Sequence, residues 1–190
     1  MHSLYSVIRK LTVPPVFAAL LLLLLYSVYP EYFASFWNLL ASLLLLCILP
    51  LLAYPLQKHI PRFKDRGREG QRSLAIHFSA AAYILGTAVA WLFNVPAELK
   101  LIYHEYLLCG VIMLIVNKAF KVKASGHACG IIGPILLLSY FKLLIPAAIS
   151  LLLVIPVYIS SIKTKQHSLP QLLGGSIIPF FVLFSLHLFF

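Results

Sequence analysis

Three short polar segments hold residues whose types and spacing suit chemistry on a phosphoryl group. The first, Lys121-Val122-Lys123-Ala124-Ser125-Gly126-His127, runs straight into an apolar stretch. Ser125 is a good helix N-cap, and Gly126 lets backbone come close to a ligand. The N–H groups at such a helix start, flanked by lysines, suit phosphate oxygens, and His127 falls on the first turn, at the mouth of the bundle. The second segment runs from Ser160 to Gly175 and carries Lys163, Lys165, His167, Gln171 and the pair Gly174-Gly175. His167 and Gln171 are spaced to share a helical face, where the amide holds one ring nitrogen and leaves the other to react. In the third segment, Lys64 to Ser73, a continuous helix would align Lys64, Arg68 and Arg72 on one face. Guanidiniums in that arrangement suit bidentate contact with phosphate. Each segment also has a plainer reading, as a basic juxtamembrane loop that meets anionic lipid, an ordinary helix cap or an interfacial histidine.

The elements that must position these residues are membrane helices. Of 190 residues, 62% are hydrophobic and 11% charged, and the mean hydropathy is +0.97. That composition excludes a soluble globular enzyme, a disordered tail and a nucleic-acid-binding surface. Apolar blocks near the length of a bilayer crossing predict an all-α, polytopic transmembrane helix bundle of six or seven spans. They fall at about 11–29, 33–56, 73–93, 99–116, 126–141, 143–160 and 169–190, with the fourth and fifth short. The first block lacks a small-residue cleavage site and reads as a retained helix. No linker divides the chain, so 1–190 reads as one transmembrane domain. Cys47, Cys109 and Cys129 have no CxxC spacing and read as small buried hydrophobes. His77 is expected as a hydrogen-bonded core residue of the third span. With five acidic residues in all, a carboxylate-bridged metal pair or a glycosidase acid pair is excluded, and no metal or cofactor is expected.

The formal charge is +10, and its distribution is uneven. With seven spans, thirteen of the fifteen lysines and arginines gather on one side, leaving Lys100 and Lys142 for the other. The positive-inside bias assigns the crowded side to the cytoplasm.

Taken together, the three segments resemble the type 2 phosphatidic acid phosphatase superfamily of membrane phosphatases. Ser125-Gly126-His127 is similar to that family's second motif, His167 with Gly174-Gly175 to the histidine end of its third, and Lys64 to Arg72 loosely to its first. Two spans separate each motif from the next, which returns all three to one membrane face. The resemblance covers about residues 58–190. It implies a metal-independent lipid phosphatase in which His167 is the nucleophile and forms a phosphohistidine. His127 then serves as acid and base, while Lys64, Arg68, Arg72, Lys123, Ser125 and Gly126 cradle the phosphoryl oxygens. Gln171 orients His167. The implied substrate is a lipid phosphate: phosphatidic acid, phosphatidylglycerol phosphate or a polyprenyl phosphate. The chain departs from the pattern at Ser161, where the family has an arginine that Lys163 or Lys165 must replace. It departs again at Gln171, where the family has an aspartate. Those departures keep open a second function, that of a catalytically silent relative that binds or moves anionic lipids. A small channel or transporter subunit is a further alternative, against which stands the scarcity of polar groups at mid-bilayer.

Overall fold

The computed structural model describes Tyr5, residues 12–119 and residues 123–190, with the Arg68 side chain also outside the description. The start of the first apolar block at residue 11, Lys121, and Arg9 and Lys10, two of the thirteen cations counted on the crowded side, therefore lie outside the described residues.

Every described element is helical. Helix α1 (Pro14–Val28) leads through a 3-10 turn (Pro30–Phe33) to α2 (Phe36–Leu43) and α3 (Leu49–Leu56). A π turn, Leu44–Ile48, joins the last two, and in it the N–H of Leu49 donates to the carbonyl of Leu44. Pro50 has no N–H for the carbonyl one turn back, and the widened turn absorbs that loss without ending the rod. After a short helix α4 (Pro61–Lys64) come α5 (Gly67–Leu92), α6 (Ala97–Lys118), α7 (Gly126–Tyr140), α8 (Leu144–Lys163) and α9 (Leu169–His187).

Among the described residues, five rods are long and apolar enough to cross a membrane: Phe36–His59, Glu69–Leu92, Ala97–Lys118, Leu144–Lys163 and Leu169–His187. Two more, α1 and α7, are apolar but have fifteen residues each. The chain is therefore an integral membrane helix bundle. The fourth rod is not short, because α6 continues through Glu98 and Lys100 at one end and Asn117 and Lys118 at the other.

Helix α7 is central, packed against α1, α6, α8 and α9. The core around it includes Leu21, Leu25, Leu46, Ile102, Ile131 and Leu137, all fully buried. Outward-facing residues remain apolar, among them Ile145, Leu152 and Ile155 on α8 and Phe180, Phe181 and Phe184 on α9. A bundle with an apolar exterior is suited to lipid rather than water. All three cysteines are buried and free. His77 does not join the core: it is exposed, and its Nδ1 pairs with the carbonyl of Ser73 at 2.7 Å.

Candidate functional site

Successive rods reverse direction, and this brings the start of α5, the end of α6, the start of α7, the end of α8 and the start of α9 to one end of the bundle. A cavity of about 590 Å³ opens there. On its wall are Arg72, Asn117, Lys123, Lys165, His167 and Gln171. Three cations from three distant parts of the chain thus face one space, and among the described residues no acidic side chain lines it. Such a space attracts and retains an anion.

The end of α8 aims His167. Lys165 adopts a left-handed backbone, φ 53°, and the chain folds back so that the Ser161 carbonyl accepts the N–H groups of Gln166 (3.0 Å) and His167 (3.4 Å). That wrap ends the helix and turns Lys165 and His167 towards the cavity. Ser161 itself is 1% exposed, so this position has no room for a guanidinium. Of the two lysines weighed as its replacement, Lys165 lines the cavity. Lys163 is exposed on the last turn of α8 and is not on that wall.

Gln171 fixes the tautomer of His167. Its Oε1 accepts the backbone N–H of Ser168 at 3.2 Å, which identifies that atom as the carbonyl oxygen of the amide. The same oxygen lies 3.3 Å from His167 Nδ1. An acceptor at that place requires Nδ1 to carry a proton, which in the neutral ring puts the lone pair on Nε2.

The Ser-Gly-His segment is held by α9. Ser125 is fully buried; its N–H donates to the Gln171 carbonyl at 2.9 Å, and its Oγ accepts the Ala128 N–H at 3.3 Å. The N–H of Ser125 and the acceptor side of its hydroxyl are thus used by the fold, and the residue is fully buried off the cavity wall. Gly126 is exposed at the first helical position, where backbone N–H groups lack partners within the helix. His127 is half-buried on that first turn; its Nε2 is shielded from solvent, and the ring is not on the cavity wall.

Gly175 is what permits this junction. A Cβ built there would lie 2.2 Å from the Ser125 carbonyl oxygen, so α9 can approach the cap only as glycine. At Gly174 the nearest atom to such a Cβ is Ala124 Cβ, at 3.9 Å.

The third segment is divided. Lys64 ends α4, a turn follows at Asp65 and Arg66, and Gly67 opens α5 with φ 51°. Lys64 is thus on a different helix from Arg68 and Arg72, exposed and off the cavity wall, while Arg72 reaches it. The side chain of Arg68 lies outside the described residues. Gln57 fastens the turn, donating from Nε2 to the carbonyls of Phe63 (3.0 Å) and Gly67 (2.7 Å).

Sequence reasoning missed Asn117, which lines the cavity and donates from Nδ2 to the Ala124 carbonyl at 3.4 Å. Its spacing, at the close of an apolar run, carried no signal. It also missed Glu105, whose carboxyl is 1% exposed in the middle of α6. Cys109 Sγ donates to its Oε1 at 3.4 Å, and Oε2 has no hydrogen-bond partner among the described residues. A lone glutamate within an apolar run was the available signal.

No family model, curated protein or solved structure matches the chain, so a functional reading rests on the geometry of the site itself.

Proposed function

We propose that the chain is an integral-membrane lipid phosphatase that works through a phosphohistidine. The observation that supports this most is the shared cavity of Arg72, Lys123, Lys165 and a His167 whose tautomer is set by Gln171. In this reaction His167 Nε2 attacks phosphorus, the P–N bond forms, and the P–O bond to the lipid alcohol or pyrophosphate oxygen breaks. His127 supplies the proton to the leaving oxygen. Water then attacks the phosphohistidine, His127 takes up its proton, and inorganic phosphate departs as the P–N bond breaks. Arg72, Lys123 and Lys165 stabilise the charge spread over the phosphoryl oxygens, which is where most phosphoryl-transfer catalysis comes from. The lipid tail enters between the rods while the headgroup occupies the cavity. We assign the cavity end to the cytoplasmic side on the crowding of lysines and arginines in its loops.

A second reading, a non-catalytic binder of anionic lipids, is favoured by one observation: His127 is not on the cavity wall and its Nε2 is shielded. The experiment that separates the two is phosphate release from a panel of lipid phosphates by detergent-purified protein in EDTA. Release abolished by His167→Ala and by His127→Ala supports the phosphatase. Saturable lipid-phosphate binding without turnover, or turnover indifferent to both histidines, overturns it.

A further inference from the structure

The opposite end of the bundle holds a second cavity, of about 570 Å³, within the range of small-molecule pockets. Its wall is of another kind. Tyr29 and Tyr32 stack at 4.8 Å between ring centroids, Tyr32 meets Phe141 at 5.4 Å, and Phe141 meets Tyr140 at 5.1 Å. His187 continues the row, 5.7 Å from Tyr140. These rings do not form an ordinary interfacial belt turned to lipid: Phe141 is buried, and the three tyrosines are half-buried around the hollow.

Among the described residues, the one acidic group on this wall is Glu98, in the first turn of α6. Among the described residues it makes no hydrogen bond and no ion pair, the single salt bridge being Arg66–Glu69. Lys142 sits on the same wall without pairing to it. The other cation at this end, Lys100, is occupied, with Nζ 2.7 Å from Asn94 Oδ1 and 4.6 Å from the centre of the Trp91 ring. A carboxylate without a partner, in a hollow lined by several aromatic rings, is the combination of groups that recognises an organic cation.

We propose that this cavity binds an alkylammonium group, held by Glu98 and the Tyr29–Tyr32–Phe141–Tyr140 wall. Lys142 and His187, at the same hollow, suit a phosphate attached to that cation, so the preferred ligand is a zwitterion with ammonium and phosphate a few bonds apart. Such a ligand is either a lipid headgroup or a free phosphoalkylamine. The site is independent of the phosphatase reading, because it shares no residue with the basic cavity.

The test uses full-length protein in a non-ionic detergent, titrated calorimetrically with choline, phosphocholine and inorganic phosphate. Native mass spectrometry follows, comparing retention of phosphatidylcholine with that of phosphatidylglycerol. Saturable binding of phosphocholine, weakened at least tenfold by Glu98→Gln and by Tyr32→Leu, supports the site. Lys142→Ala should weaken phosphocholine but not choline. Preferential retention of phosphatidylcholine identifies the lipid source, and binding of the soluble molecule alone identifies the free one. Glu98 is half-buried on the wall of an open cavity, so Glu98→Gln decides the matter if Tyr32→Leu does not fold. No saturable binding of any ammonium compound, or binding untouched by Glu98→Gln, overturns the proposal.

Discussion

Two adjacent glycines of α9 should respond in opposite ways to the same substitution. In Gly175→Ala the new methyl meets the Ser125 carbonyl oxygen at 2.2 Å, and the Ser125 carbon and nitrogen at 3.0 Å. A carbon and a carbonyl oxygen settle no closer than about 3.3 Å, so α9 or the cap must retreat by about 1 Å. The retreat strains the Ser125–Gln171 backbone hydrogen bond, now 2.9 Å. Overpacking of this kind and loss of one hydrogen bond cost about 3 kcal/mol together, a fall in Tm of about 6–12 °C for a chain of this size. Because the bond joins the Ser-Gly-His turn to the helix that carries Gln171, phosphate release should drop on the order of a hundredfold, the effect of a 1 Å misplacement. Gly174→Ala adds a methyl at an ordinary 3.9 Å from Ala124 Cβ and removes a helix-weakening glycine. It should raise stability by about 0.5–1 kcal/mol. The assay is thermal unfolding in detergent alongside phosphate release for the two single variants. If Gly174→Ala proves as damaging as Gly175→Ala, or neither has an effect, the close approach at Ser125 is not what joins the two motifs.

Further outcomes follow from the same geometry. Lys165→Ala should raise KM for a lipid phosphate roughly tenfold, the loss of one charged hydrogen bond, while Lys163→Ala stays close to wild type; equal effects would refute the assignment of Lys165 to the cavity. Gln171→Glu keeps an acceptor for both Ser168 N–H and His167 Nδ1 but adds negative charge beside the ring, which favours the protonated imidazole. Since the nucleophile must be neutral, the acidic limb of the pH–rate profile should move to higher pH; a move to lower pH would contradict the role of His167. Ser161→Arg, although it restores the residue type of the resembled family, forces a guanidinium into a fully buried position and should lower Tm by several degrees. Glu105→Leu removes a buried carboxyl oxygen without a partner and should stabilise the bundle by about 1–3 kcal/mol; a loss of stability or of turnover would show that the carboxyl is used.

Much of the bundle was legible because lipid demands long apolar runs. The rods of α6 and α9 begin within two residues of the positions that hydropathy assigns. The pairing of His167 with Gln171 was legible from their spacing, but not its form: His167 precedes the Ser168 cap of α9, and the capping side chain of Gln171 reaches back to it instead of the two sharing a helical face. Other features depend on contacts between distant segments. Gly67 takes a left-handed conformation and breaks the helix that would have aligned Lys64 with Arg72, although the charges themselves have helical spacing. Ser125 reads as a cap from sequence, and it is one, but nothing local reveals that the Gln171 carbonyl takes its N–H. The choice between Lys163 and Lys165 turned on a left-handed residue that is not glycine, a conformation that residue type alone does not announce.

Helix α7 has fifteen residues, with its cap at Ser125 and its closing turn at Phe141 both described. A rod of that length is about 22 Å long, about 8 Å less than the hydrocarbon core of an ordinary bilayer. Its neighbours α6, α8 and α9 have 22, 20 and 19 residues. Because α1, α6, α8 and α9 enclose α7, lipid does not adjust to its length and the deficit falls inside the bundle, where the polar end that carries Gly126 and His127 is reached from the headgroup plane only across that shortfall. A lipid whose headgroup already sits low meets that end with less displacement. Membrane thickness thus becomes a control on the protein: its working rate should be higher in bilayers of short-chain lipids and fall as the acyl chains lengthen.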